Sequence, residues 1–204
     1  MPFKKLDVNI KEKLSELDFD TPTPFQIKSI PVIKSGKNLF CVAPKNSGKT
    51  TALILTTMQK LKCKEVGTAP RAIVFVENNE KALELYNSFL KFTKITSLRV
   101  YVCDEREHID LLKSEIFEGV DILITTPKTM NKLLLLEGVN TTQLKIVSFD
   151  DAEYLAKKSV ISDVLSITQS IHKCQYVIYL EKMNTTIQNL DNYFMLYPAN
   201  ISVK

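Results

Sequence analysis

The sequence contains no Cys-x-x-Cys pair. Cys41, Cys63, Cys103 and Cys174 lie far apart, and His108 and His172 stand alone, so the spacings that build zinc sites are missing. Scattered cysteines of this kind read as reduced thiols, and the expected location is cytoplasmic. Long apolar runs are missing too. Charges recur throughout MPFKKLDVNIKEKLSEL, and no later stretch approaches the roughly 20 residues of a membrane span, so neither a targeting signal nor membrane association is expected. Internal repeats, low-complexity tracts and linkers do not occur. Nor does one sign of charge dominate: 27 basic and 23 acidic side chains leave +4, which permits a local basic face without demanding a polyanionic partner.

What is present is an ordinary globular balance. With 45% hydrophobic and 25% charged residues, a chain of 204 residues can bury one sizeable core, which argues for a single domain over 1–204. From residue 38 onward, short apolar runs alternate with longer amphipathic segments, the pattern of a parallel sheet flanked by helices. The runs 38–42, 72–76, 98–102, 120–124, 144–149 and 175–179 predict buried strands. Helices are expected around Leu83 to Leu90 and Met130 to Leu136, and two more, over 8–17 and 24–34, precede the first strand. Thr23 is the expected N-cap of the second of these, with Pro24 at its first helical position. The fold class is therefore α/β: a doubly wound, mostly parallel sheet with helices on both faces and a ligand at the carboxyl ends of the strands.

The strongest local signal is Ala43-Pro44-Lys45-Asn46-Ser47-Gly48-Lys49-Thr50, directly after an apolar strand and directly before the helical run that begins at Thr51. Successive backbone N–H groups and a helix N-terminus in this context wrap phosphates. Pro44, Lys45, Asn46, Ser47, Gly48 and Thr51 are candidate nucleotide contacts. Lys49 can reach the terminal phosphates, and the Thr50 hydroxyl can ligate Mg2+. Ala43 replaces the first glycine of the general pattern. A left-handed backbone costs an ordinary residue roughly 1 to 2 kcal/mol, and Asn accepts it better than most, so Asn46 can stand where a second glycine is otherwise expected.

A phosphate loop needs an acid at the end of a neighbouring strand, and Leu144 to Asp151 supplies one. Asp150 is the candidate magnesium ligand, its alternative being an N-cap for a helix over Ala152 to Lys157. A third element, Thr21-Pro22-Thr23-Pro24-Phe25-Gln26, lies upstream. Thr21 and Gln26 join the nucleotide candidates, since the Gln26 amide can pair with the edge of adenine, and Phe3 can stack on its face. Simple packing is the other reading of Phe3 and Gln26.

PTPFQ, APKNSGKT and FDDAE, in this order and at these separations, resemble the Q motif, motif I and motif II of the DEAD-box RNA helicases, and the similarity spans nearly the whole chain. The resemblance implies the first RecA-like motor domain of that family, with 1–36 as the Q-motif region and 37–204 as the P-loop core. It implies ATP and Mg2+ as ligands, Phe3 and Gln26 at adenine, Lys49 and Thr50 at phosphates and metal, Asp150 at the metal, and Asp151 orienting the attacking water. Lys49, Asp150 and Asp151 are then the candidate catalytic residues.

The departures from the family pattern set the functional expectation. Asp-Glu-Ala-Asp is here Asp150-Asp151-Ala152-Glu153, so the water-positioning carboxylate is shorter by one bond, about 1.5 Å, and misplacement of about 1 Å can cost about a hundredfold in rate. Leu180-Glu181-Lys182 stand where the family has Ser-Ala-Thr. Pro-Thr-Arg-Glu-Leu becomes Glu77-Asn78-Asn79-Glu80-Lys81, and Thr-Pro-Gly-Arg becomes Thr126-Pro127-Lys128-Thr129. Asn78, Thr126 and Lys128 remain as candidate RNA contacts, with weak binding expected because a lysine lacks the planar fork of arginine; a solvated surface lysine is the alternative for Lys128. No second motor domain is expected after Lys204. In the family that domain supplies an arginine finger worth roughly 10³ to 10⁵ in rate, so ATP-dependent RNA remodelling is expected only in combination with such a domain or a protein partner. The competing expectation is a catalytically weakened nucleotide-binding module acting through a partner. A fold that has lost nucleotide altogether fits poorly with the retention of Gln26, Lys49, Thr50 and Asp150.

Overall fold

Stretches such as Ala72–Phe75 and Ile122–Thr125 are buried at every position, the mark of strands covered on both faces. In the computed structural model, which describes residues 2–19 and 21–204, they form the middle of a seven-stranded sheet. The strands are β1 (Leu39–Val42), β2 (Ala72–Phe75), β3 (Val100–Val102), β4 (Ile122–Thr125), β5 (Ile146–Phe149), β6 (Gln175–Leu180) and β7 (Ala199–Ser202). Their order is β3-β4-β2-β5-β6-β1-β7, and each neighbouring pair runs parallel. The helices are α1 (Val8–Glu16), α2 (Pro24–Lys34), α3 (Lys49–Lys60), α4 (Asn79–Thr93), α5 (Ile109–Gly119), α6 (Pro127–Leu135), α7 (Lys158–Gln169) and the single turn α8 (Thr185–Gln188).

The alternation of side chains along each strand divides the core in two. Leu39, Cys41, Val74 and Ile124 point to the side covered by α1 to α4, where Phe25, Leu53 and Phe89 are buried. Phe40, Ile73, Phe75 and Leu123 point to the other side, against Leu112 of α5, Met130 of α6 and Val164 of α7. The α/β sheet with helices on both faces is thus as expected, and the parallel arrangement brings the loops after β1, β2, β5 and β6 to one edge of the sheet. All four cysteines are free, and among the described residues no helix is long and apolar enough to cross a membrane.

Three local features differ from expectation. The edge strand β3 is confined to Val100–Val102, with Leu98 and Arg99 outside it. At the other edge, Ala199–Ser202 adds an unanticipated strand whose residues are alternately half-buried and exposed, too polar to announce itself. The helix expected over Ala152 to Lys157 is a short 3-10 helix, Ala152–Ala156, entered through the left-handed Asp151 at φ 42°.

At the opposite edge of the sheet, a charge cluster ties β2, β3 and β4 together. The fully buried Asp121 accepts from Arg71 Nη2 at 2.6 Å and from Arg99 Nε at 2.9 Å, and also from the backbone N–H of Val66 and Arg99. Burial alone would raise this carboxyl group. Hydrogen bonds from Arg99, and then from Arg71 and Val66, outweigh burial and hold it below its ordinary 3.8. Its stabilising contribution is therefore complete above the ordinary carboxyl value and is lost as pH falls through the depressed one. Asp121→Asn is expected to destabilise the fold by about 3 kcal/mol at neutral pH, because it leaves the buried Arg71 guanidinium uncompensated. Urea unfolding should show the gap between variant and wild type shrinking below pH about 4.

Candidate functional site

The loops at the carboxyl edge enclose a cleft of about 1060 Å³, roomy enough for a nucleoside triphosphate. The loop after β1 is anchored by the N–H of the buried Ala43, which donates to the Leu180 carbonyl at 3.0 Å. It then turns through two left-handed residues, Asn46 at φ 60° and Gly48 at φ 87°. Asn46 thus adopts the backbone for which a glycine had been expected. At Gly48 the requirement is stricter, because a Cβ there would lie 2.5 Å from Gln26 Nε2 and 3.2 Å from Thr23 Oγ1.

Gly48 is the N-cap of α3 and supplies no side chain to its first turn, so the opening N–H groups of this helix are offered to the cleft. Lys49, Thr50 and Thr51 line it there, as do Lys45 and Asn46. Pro44 and Ser47 are not part of that lining, and their carbonyls accept from Lys49 and Thr23. The buried Lys49 donates from Nζ to the carbonyls of Ala43 and Pro44 at 2.8 and 3.0 Å, which keeps its ammonium group over the crown of the loop.

The start of α2 grips the same loop from the side. Thr23 and Gln26 form a capping box: the Gln26 N–H donates to Thr23 Oγ1 at 3.2 Å, and the Thr23 N–H donates to Gln26 Oε1 at 3.0 Å. The remaining donors of this pair reach across to the loop. Thr23 Oγ1 donates to the Ser47 carbonyl at 2.6 Å and Gln26 Nε2 to the Gly48 carbonyl at 3.2 Å. Gln26 keeps one amide hydrogen and one oxygen lone pair uncommitted, the complement of an adenine edge. Thr21 and Phe3 also line this end, but Phe3 is only 8% exposed and packs in the core. Phe19, missed in the sequence, lines the same end with 47% of its surface exposed and offers the larger free aromatic face. An aromatic residue placed after α1 and off its buried stripe was the available signal.

On the other side of the loop stands Asp150, whose N–H donates to the Phe75 carbonyl at 2.9 Å and fixes the turn after β5. Its Oδ1 is buried and has no hydrogen-bond partner among the described residues. Burial first, and then the Asp151 carboxylate, push this group from 3.8 up to about 7, against the opposing pull of Lys49 and Lys81. The capping alternative for Asp150 does not apply, because Asp151 occupies the N-cap of the following turn and makes no side-chain bond there. A buried oxygen without a partner and the Thr50 hydroxyl on the same cleft fit a hard divalent cation, since Mg2+ takes one or two protein oxygens beside phosphate and water.

The rim of the cleft is tied by longer links. Glu153 Oε1 accepts the N–H of Glu181 at 2.5 Å and of Lys182 at 3.3 Å, Glu181 faces Lys45 at 3.8 Å, and Lys157 pairs with Glu77 at 2.8 Å. Asn78, Thr126 and Lys128 stand apart from the cleft lining. Asn78 caps α4 by accepting from Lys81 N at 3.0 Å. Thr126 is buried and caps α6, its hydroxyl shared with the Thr129 N–H and hydroxyl. Lys128 is exposed on α6, 3.9 Å from Glu105.

Comparison with known proteins gives a consistent answer. The family model described as DEAD/DEAH box helicase matches residues 23–188. A pre-mRNA-processing ATP-dependent RNA helicase, prp-5 of Neurospora crassa, is 26% identical over 95% of this chain and 17% of its own length. PRP5 of Lodderomyces elongisporus is 30% identical over 66% of this chain and 14% of its own. The chain thus spans less than a fifth of the length of these relatives. Among solved structures, a DEAD box protein from the hyperthermophile Methanococcus jannaschii superposes with a TM-score of 0.90 at 21% identity, covering 98% of this chain and 55% of that one. The yeast DEAD-box splicing factor Prp28 gives 0.87 at 20% identity, over 98% and 50%.

Gly48→Ala is expected to cost roughly 1 to 2 kcal/mol through its left-handed backbone and to push the Gln26 amide off the loop. Thermal unfolding should register the first effect, and a weaker hold on nucleotide in titration should register the second.

Proposed function

The chain belongs to the DEAD/DEAH box helicase family, and from that membership we propose that its cleft binds ATP with Mg2+ and that nucleotide occupancy governs its action on RNA in combination with a second motor domain. One observation carries this reading: the uncapped start of α3 and Asp150, whose buried Oδ1 has no hydrogen-bond partner among the described residues, line the same cleft. These are a site for anionic oxygens and a site for a cation, side by side.

Each residue then has a definite task. Gln26 reads the edge of the base, and Phe19 and Phe3 cover its face. The amides from Lys45 to Thr50 cup the phosphates. Lys49 leaves the Ala43 and Pro44 carbonyls for phosphate oxygens, exchanging neutral acceptors for charged ones. Thr50 and Asp150 would hold Mg2+, which when bound neutralises charge on the phosphate oxygens. Asp151 orients the attacking water, and Lys128 with Asn78 offers weak contacts to an RNA backbone.

A weaker catalyst is the second reading, and it has its own support. Asp151 stands where the family has a longer acid, and Glu153 holds the loop after β6 through backbone amides of Glu181 and Lys182 in place of a Ser-Ala-Thr sequence. Calorimetric titration of ATP with and without Mg2+ tests the shared core of both readings. Lys49→Ala is expected to weaken binding at least about tenfold, and Asp150→Asn to abolish the Mg2+ requirement; unchanged affinity in Lys49→Ala would remove the cleft as the ATP site. Phosphate release in the presence of a second motor domain and RNA separates the readings. If Asp151 limits the rate, Asp151→Glu should raise turnover, by up to about a hundredfold; tight binding with no release in either form favours the weakened module.

A further inference from the structure

Beyond Asp150 and Asp151, the far end of the cleft carries a cation to which the reading above gives no task. Lys81 lies in the first turn of α4 and lines the cleft together with Glu77, Asp151 and Lys157. The sheet order identifies which end of a nucleotide this is. Gln26 enters from α2, which packs beside β1 and β7; the phosphate loop follows β1; Asp150 and Asp151 follow β5; Glu77 and Lys81 follow β2, the next strand outward. Base site, phosphate loop, metal acid and Lys81 therefore succeed one another along a single line. Lys81 stands at the end of that line remote from the base.

The two cations at this end differ in what holds them. Lys157 is paired across the cleft with Glu77 at 2.8 Å, which links the loop after β5 to the loop after β2. Among the described residues Lys81 is paired only along its own helix, with Glu84 at 2.8 Å, and both of those side chains are at least half exposed. An exposed pair of this kind is weak and easily exchanged. A phosphoryl group bearing more negative charge and brought within reach of the four-carbon stem is a stronger partner. Glu84 is the main influence keeping the amine charged, and Asp151 and Asp150 add to it, so the ammonium already senses the reacting end of the cleft.

Resting on the assignment of the cleft to ATP, we infer that Lys81 contacts the terminal phosphoryl group of a bound nucleoside triphosphate and thereby sets the preference of this chain for triphosphate over diphosphate. A diphosphate has no group at that end of the line. Lys81 then returns to Glu84, and the first turn of α4 registers whether the third phosphate is present.

Titrating the whole chain in Mg2+ with ADP and with the imido analogue of ATP tests this. Lys81→Met, which keeps an unbranched apolar stem, is expected to weaken the triphosphate about tenfold and leave the diphosphate unchanged. Glu84→Gln, which frees the ammonium, is expected to shift the ratio the other way. A wild-type ratio in Lys81→Met overturns the inference, and so does equal weakening of both nucleotides. Loss of single-stranded RNA binding with the nucleotide ratio intact also overturns it and gives the cation to an RNA backbone. Failure of the underlying ATP assignment looks different: the unaltered chain binds neither nucleotide, or Lys49→Ala leaves binding of both unchanged.

Discussion

The grip of the Thr23–Gln26 capping box on the phosphate loop is the constraint on which the site depends. The same two side chains begin α2 and fasten the carbonyls of Ser47 and Gly48, so the entry of one helix and the shape of a loop more than twenty residues later are a single hydrogen-bonded unit. Turning those carbonyls toward α2 directs the succeeding amides the other way, into the cleft, at the start of α3. The close approach leaves no room for a Cβ at Gly48, which explains why glycine persists there while Asn46 can take the place of another. Gln26 thus shapes the start of α3 through a backbone carbonyl of the loop before it.

The electrostatics of the cleft follow from what the sheet brings to one edge. Parallel strands deliver Asp150 and Asp151 from β5, Glu77 and Lys81 from β2, and Lys49 from the loop after β1 to a common space. Two neighbouring carboxylates, one of them buried, are costly to keep ionised, and the rise of Asp150 to about 7 expresses that cost. The arrangement is poor for an isolated protein and suited to one that takes up a divalent cation, since the cation reverses the sign of the local field. By contrast, Asp121, fully buried, meets two arginines and is driven the opposite way. One acid is satisfied within the fold and the other is left unsatisfied.

Much of this was legible in the sequence because it was written in apolar runs and local spacing. The central strands β2 and β4 are made almost wholly of Val, Ile, Leu and Phe, and Thr23 with Pro24 announces a helix start. What escaped depended on tertiary context. Ala199–Ser202 is a strand only because β1 leaves an edge for it to pair with, and its alternating exposure gives little apolar signal. The turn after β5 tightens into a 3-10 helix because Asp151 enters it with a left-handed backbone, which no propensity of Asp-Asp-Ala-Glu would announce. Phe19 belongs to no recognisable motif, and the fold shows its ring left outside the core. For Thr126, the family resemblance implied a hydroxyl open to RNA where the fold uses it as a cap. Local pattern gives the elements, while the division of each side chain between support and display is decided by neighbours distant in the chain.

Glu153 illustrates how a loop can lose the wording of its relatives without losing its attachment. Its carboxylate takes hold of the amide hydrogens of residues 181 and 182, and every amino acid but proline carries such a hydrogen. The tether is therefore indifferent to spelling: a substitution along this stretch alters the charge it shows and leaves the backbone hydrogens that join the two strand ends in place.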